Sequence, residues 1–467
     1  MVFSSLTFLF AYLPVVFLVY FIVPAAWRNP VLFLFSLFFY GWGEPVYVAV
    51  MLFSILFNWL FGAFVAKYRK KNRELAKKWM IACIVLNLAL LGFFKYYDFL
   101  AENLQALGLS FIEPLHLGLP IGISFYTFQA MSYPIDIYRN ETDAQRSVIN
   151  FGAYVTMFPQ LIAGPIVRYR DIAAMLTKRT HSLQKFNAGI DRFMIGLAKK
   201  VLLANSCGMI FESISALPQA QTSTVTAWLG ILCYAFQIYF DFSGYSDMAI
   251  GLGKMFGFEF LENFNYPYTA VSVTDFWRRW HMSLSTWFRD YVYIPLGGNR
   301  HGLPRQIMNI MTVWLLTGFW HGASWNFVLW GVFYGIVLII EKTFLLRYLE
   351  KAPGWLKHVY TMFIVLLAWV LFAFTDFSQG LQFLSRMFFG ASAFINGVSI
   401  YYLRSNFILL AVCFIACTPV GKETWEKLLK KEKRFIWLRP ALILLGLTVC
   451  TAFIVDATYN PFLYFRF

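Results

Sequence analysis

Two histidines sit inside apolar, aromatic-rich runs: His281 in Phe276-Trp-Arg-Arg-Trp-His-Met-Ser-Leu-Ser, and His321 in Thr317-Gly-Phe-Trp-His-Gly-Ala-Ser-Trp. His321 lies between the apolar stretches Ile307–Phe319 and Phe327–Ile340. An ionisable side chain at membrane depth is costly to place, which makes both histidines functional candidates. Imidazole gains and loses a proton near neutral pH, so the chemistry in view is general acid–base catalysis. The remaining histidines, His116, His181, His301 and His358, stand in loop-like contexts and read as solvated.

Other polar groups flank the pair. Arg278, Arg279, Arg289 and Arg300 form a basic stretch around His281. Guanidinium groups suit bidentate contact with phosphate, but the same stretch equally fits anchoring at a cytoplasmic membrane face. Asp241, Ser243, Tyr245 and Asp247 fit two roles as well: orienting a histidine or lining a tunnel, and packing helices together. Asn326 is a candidate oxyanion donor. The chain has no Gly-x-Ser-x-Gly elbow, no His-Glu-x-x-His and no Walker loop, so serine-esterase, metal and ATP chemistry have no motif behind them. Its six cysteines are scattered without a Cys-x-x-Cys pair, and no metal site or disulfide framework is indicated.

The elements that must position these groups are membrane helices. Of 467 residues, 59% are hydrophobic and only 13% charged, far from the balance of a soluble chain. Apolar runs are continuous rather than alternating, which excludes a β-barrel. A span needs about 20 apolar residues. Candidates are 6–26, 47–65, 79–100, 121–138, 225–240, 308–344, 359–374, 406–418 and 441–454, with 30–40 as a short or tilted piece. The 308–344 run is long enough for two spans, or for one span and a re-entrant piece, with the break at or near His321. The expectation is one all-α polytopic domain over residues 1–467, with about ten or eleven membrane helices. The apolar start, 6–23, reads as a first span rather than a signal peptide.

The net charge of +15 belongs to short loops beside apolar runs, which fits anionic lipid headgroups and not nucleic acid. The basic loop from Lys67 to Lys78 should be cytoplasmic, the acidic loop 101–119 outside, and the N-terminus therefore outside. Between 148 and 305, apolar residues mix with Gly, Pro, Arg and Asp. The stretches 157–168, 237–247 and 263–268 read as irregular backbone, tolerated at depth only inside protein or beside a water-filled cavity.

These stretches, taken in order, resemble the membrane-bound O-acyltransferase family, and within it the branch that acetylates alginate and other cell-surface polysaccharides. The resemblance runs from Phe94-Lys-Tyr-Tyr-Asp-Phe through Leu119-Pro-Ile-Gly-Ile-Ser-Phe-Tyr-Thr-Phe-Gln and Phe158-Pro-Gln-Leu-Ile-Ala-Gly-Pro-Ile. It continues through Gln237-Ile-Tyr-Phe-Asp-Phe-Ser-Gly-Tyr-Ser-Asp, the two histidine motifs and Arg289-Asp-Tyr-Val-Tyr-Ile-Pro-Leu-Gly-Gly-Asn-Arg to Asn460-Pro-Phe-Leu-Tyr-Phe. One departure is Leu371-Phe-Ala-Phe, where the branch pattern leads one to expect an arginine after the first Phe; it bears on neither histidine.

The resemblance implies a ring of helices around a funnel and acyl transfer from a thioester to a hydroxyl. It puts the family's histidine at His321, as general base, and a second polar position at His281. It implies no permanently bound cofactor, acetyl-CoA as donor substrate, and a bacterial cytoplasmic (inner) membrane location. The acceptor would be an extracytoplasmic polysaccharide, reached with a periplasmic or surface SGNH-like transferase as partner. Two alternatives stand beside it: D-alanyl transfer to teichoic acid from a carrier protein, and a polysaccharide or lipid transporter.

Overall fold

The computed structural model describes residues 1–109, 111–431 and 435–456; the terminal Asn460-Pro-Phe-Leu-Tyr-Phe motif lies outside them. Among the described residues the chain is all-α, with one isolated parallel bridge between Ser223 and Ala393. Seven helices are long and apolar enough to cross a membrane: Val48–Tyr68, Arg73–Ala106, Leu183–Ser215, Thr224–Met255, Trp325–Lys351, Gly354–Ala373 and Leu438–Asp456. An eighth is added if Gly397–Ser405 and Phe407–Ala416, bent by 61°, form one broken span. The chain is thus a multi-pass membrane protein.

Seven or eight is fewer than the ten or eleven read from apolar runs. Phe8–Ile22, Arg28–Gly41 and Ile123–Tyr138 are too short, the last two having 14 and 16 residues. At 1.5 Å per residue they span well under the hydrocarbon thickness of about 30 Å. Gly302–His321 has 20 residues, but Arg305, Gln306, Asn309 and His321 dilute its apolar character.

The chain divides into two compact units, and two long helices, Leu183–Ser215 and Thr224–Met255, contribute residues to both. The first unit comprises Met1–Ile195 and Tyr245–Leu261. Its helices are tied by buried polar pairs. Asn58 Nδ2 donates to Asn87 Oδ1 (3.1 Å) and Asn87 Nδ2 donates back to Asn58 Oδ1 (2.9 Å), joining Val48–Tyr68 to Arg73–Ala106. Arg69 closes the basic end of that pair onto the end of Ile123–Tyr138 by donating to Ile137 O and Thr142 O and pairing with Asp143.

The expected irregular stretch 157–168 is present and buried. Its backbone is satisfied from within: Ser36 Oγ accepts from Phe158 N (3.1 Å), and Tyr154 OH reaches Val167 O (2.9 Å). This is the condition under which non-helical backbone survives away from water.

The second unit comprises Gly196–Gly244 and the chain from Glu262 onward. The stretch 237–247 is not irregular. It lies inside the continuous helix Thr224–Met255, whose most apolar window is 83% buried. The Asp, Ser and Gly residues that suggested a broken backbone are helical residues facing protein.

The run 308–344 is two helices, Gly302–His321 and Trp325–Ile340, with the break at Gly322–Ser324. Their crossing is a backbone-to-backbone contact. A Cβ on Gly331 would stand 2.4 Å from Trp314 O, and one on Gly318 would stand 2.5 Å from Phe327 O. No side chain can yield there, since the obstacle is carbonyl oxygen. Gly331→Ala should therefore destabilise the folded chain by about 1–3 kcal/mol. Gly92→Ala, with open space around the new methyl, should not. Thermal unfolding of the detergent-solubilised protein measures the difference.

Candidate active site

His321 is the last residue of Gly302–His321, where Gly322 turns extended (φ −177°) and stops the helix. A Cβ at Gly322 would lie 2.4 Å from the Phe327 ring, so the tight turn onto Trp325–Ile340 requires glycine. His321 is 3% exposed. Aromatic rings enclose it edge to face: Trp320 at 5.0 Å, Trp330 at 5.0 Å and Phe372 at 5.2 Å between centroids. Phe372 comes from Gly354–Ala373, the helix with the departing Leu371-Phe-Ala-Phe motif. Ala373, where the departure falls, is the next residue on that helix.

His281 joins two short helices, Val273–Arg279 and Met282–Phe288, in the left-handed conformation (φ 47°, ψ 52°). That region is sparsely used by non-glycine residues, and strain of this kind persists where the surroundings fix it. The fixing group is Asn263. Its backbone carbonyl accepts from Met282 N (2.9 Å), and its Oδ1 accepts from Ser283 Oγ (2.9 Å) and stands 3.1 Å from His281 Nδ1. Against that oxygen Nδ1 is the N–H, which leaves Nε2 with the lone pair. His281 is 1% exposed and lies outside the long apolar spans; burial pushes its pKa down to about 3, so the ring is neutral. Phe242 (4.7 Å) and Trp320 (5.8 Å) both contact the ring. Trp320 touches both imidazoles, and this ring brings His281 and His321 into one aromatic chamber.

Glu341 anchors the segment that carries His281. Fully buried, its carboxylate accepts from Val273 N (2.8 Å), Thr274 N (2.8 Å) and Thr274 Oγ1 (2.6 Å). It thus caps the N-terminus of Val273–Arg279, where negative charge is favoured.

The other expected residues are spread more widely. Asp241 pairs with Lys200 at 2.7 Å, both almost fully buried, where Leu183–Ser215 meets Thr224–Met255. A methyl on Gly244 would meet Gly196 O at 2.8 Å, so small residues set that approach. Ser243 is buried in the same unit. Tyr245 and Asp247 belong to the first unit, where Tyr245 stacks on Phe3 (4.5 Å) and Asp247 pairs with Arg192 (2.7 Å).

Asn326 is buried and gives one amide hydrogen to Leu371 O (3.2 Å), leaving its second for any oxyanion role. Arg279 pairs with Asp275 (2.9 Å) and Arg289 with Asp290 (2.8 Å), while Arg278 and Arg300 are exposed. Two of the four arginines are thus held by an acidic residue close by in the sequence. Among the described residues no cluster of His, Cys, Asp and Glu could hold a metal ion. Two histidines read as solvated are in fact half-buried with partners: His358 against Ala270 O, and His181 between Tyr20 and Arg28.

Comparison with known proteins places the chain in a family. The model of the membrane-bound O-acyltransferase family matches residues 139–381, which include both histidines. The chain is 43% identical to the "Probable alginate O-acetylase AlgI" of Azotobacter vinelandii, over 89% of this chain and 84% of that one. It is 40% identical to the protein of the same name from Pseudomonas putida over the full length of both. It is 33% identical to the "Peptidoglycan O-acetyltransferase" of Helicobacter pylori, over 100% of this chain and 98% of that one.

The Lys200–Asp241 pair separates a packing role from a chemical one. Lys200→Met alone leaves a buried carboxylate uncompensated and should cost about 3–5 kcal/mol. Lys200→Met with Asp241→Leu removes both charges and should recover most of that stability. Thermal unfolding tests the recovery. Turnover of the folded double variant then tells whether the carboxylate also serves the reaction.

Proposed function

Because the chain belongs to the membrane-bound O-acyltransferase family and is an O-acyltransferase, we propose that it takes acetyl from a cytoplasmic thioester, acetyl-CoA, and passes it across the bacterial inner membrane to a cell-surface polysaccharide such as alginate. The observation that carries this reading is the enclosed His321, placed at a helix break with a neutral, oriented His281 in the same aromatic chamber. The polysaccharide acceptor is supported by the alginate and peptidoglycan O-acetylating relatives.

The reaction needs a base for the hydroxyl proton and a water-poor chamber for the thioester. His321 supplies the base. It takes the proton as the hydroxyl oxygen of a carrier bonds to the thioester carbonyl carbon; the C–S bond then breaks, the imidazolium protonates the leaving thiolate, and the acetyl ester on that carrier is the donor for the second transfer. His281 takes a supporting role: its Nδ1–H is held by Asn263, so Nε2 presents a fixed lone pair to the chamber. Buried aromatic walls exclude water, which otherwise competes with the hydroxyl as acceptor. The exposed Arg278 and Arg300 suit the phosphates of coenzyme A. Delivery to the polysaccharide hydroxyl then falls to an SGNH-like transferase outside the membrane.

Acetyl transfer from radiolabelled acetyl-CoA in proteoliposomes tests the reading. Wild type should label protein or acceptor, and His321→Ala should lower that rate by roughly 10²–10⁴-fold, the usual contribution of a general base. His281→Ala should lower it by less. Equal labelling by wild type and His321→Ala would remove His321 from the mechanism. Absence of label with folded wild type would point to another donor.

A further inference from the structure

The first unit holds a second group of charged residues, separate from those assigned above to acyl transfer. Tyr20, at the end of Leu13–Ile22, is fully buried and acts as a hub. Its hydroxyl stands 3.0 Å from Phe256 O, 2.9 Å from His181 Nε2 and 2.8 Å from Arg179 Nε. On the other side of the imidazole, Arg28 NH1 is 3.2 Å from His181 Nδ1.

Only one arrangement of protons satisfies all four contacts. Arg28 donates to Nδ1, Nε2–H donates to the phenol, Arg179 donates to the phenol, and the phenol donates to Phe256 O. His181 is therefore neutral. Its burial and the two guanidinium groups push its pKa below the ordinary value in the same direction.

The wiring fixes two arginines side by side. Both guanidinium groups stack on the Tyr20 ring, at 5.4 Å for Arg28 and 5.6 Å for Arg179. Arg179 also bonds Asn29 Oδ1 (2.7 Å) and covers Phe258 (4.6 Å). Among the described residues neither arginine has a carboxylate in ion-pair range; the neighbouring Glu259 is taken by Lys185 (2.8 Å). Arg28 Nε and Arg179 Nη2 are closed off from solvent without an acceptor. Two like charges held together, each with an unmet donor, call for an anion with several oxygens.

Two further observations say where that anion comes from. Arg28 opens the helix Arg28–Gly41, and His181 precedes Leu183–Ala198, so two helix N-termini adjoin the pair. Exposed apolar side chains border it in the sequence: Ile22, Trp27 and Leu183 are 73%, 62% and 82% exposed. Trp is the side chain that favours the headgroup layer.

We propose that Arg28 and Arg179, held by Tyr20 and His181, form a phosphate site at the membrane boundary, filled by the headgroup phosphate of an anionic lipid. The ligand chemistry is a phosphate ester with at least two free oxygens. Lipid phosphate is favoured over a soluble one by the exposed apolar border.

Native mass spectrometry and thermal unfolding of the full chain in detergent test this with three probes: dioctanoyl phosphatidic acid, dioctanoyl phosphatidylcholine and coenzyme A. Wild type should retain and be stabilised by the acidic lipid over the zwitterionic one. Arg28→Gln with Arg179→Gln should weaken that binding by roughly 10–100-fold, about tenfold for each charge-assisted hydrogen bond removed. Lys185→Gln, on the same face but outside the group, should leave it unchanged. Displacement of the acidic lipid by coenzyme A would support the phosphate site and assign its phosphate to the soluble donor instead. The proposal is overturned if wild type shows no preference for the acidic lipid, a result independent of whether the double variant folds. It is also overturned if the folded double variant binds that lipid as wild type does.

Discussion

Within a bilayer no water is at hand to satisfy a polar group, and this constraint organises the chain. Each buried polar side chain must be matched by another part of the protein or by cargo. Asn58 and Asn87 satisfy one another, Lys200 and Asp241 neutralise one another, and Glu341 is consumed by the end of a short helix. Such pairs add little net stability over apolar packing, because desolvation offsets most of their attraction. What they do supply is position. Glu341 sets the start of Val273–Arg279, and that helix leads directly to His281.

The same constraint explains the character of the histidine chamber. Its walls are mostly carbon: Phe242, Trp320, Trp330 and Phe372 present ring edges to the imidazoles. Around His281, burial favours the neutral ring. Asn263 then fixes which nitrogen of His281 carries the hydrogen, using an amide in place of a carboxylate. A carboxylate there would favour the imidazolium; an amide orients the ring and leaves it neutral.

Much of this was legible in the sequence. Continuous apolar runs announced the membrane helices, and the two histidines inside such runs are both buried, with Trp320 against each. Helix count was less legible, because hydropathy reads composition and not length, and Arg28–Gly41 and Ile123–Tyr138 are apolar yet short. The segment 237–247 misled in the opposite direction. Its Asp, Ser and Gly residues look like a loop when neighbours are unknown, but Lys200 and Arg192, about 41 and 55 positions away from their partners, make it a good buried helix. Asn263 was missed for the same reason. It sits 18 residues from His281, and only the fold of the intervening turn brings them together. Ser283, two residues after the histidine and sharing the same amide oxygen, was the local sign of that partner.

The crossing of Gly302–His321 with Trp325–Ile340 has a consequence for traffic. Where two backbones touch without side chains between them, neither helix can roll or slide past the other without collision. The hairpin therefore behaves as one stiff bracket, with His321 mounted at its bend. A residue mounted this way cannot swing between compartments to collect a load and release it. The load has to travel, and the histidine has to wait.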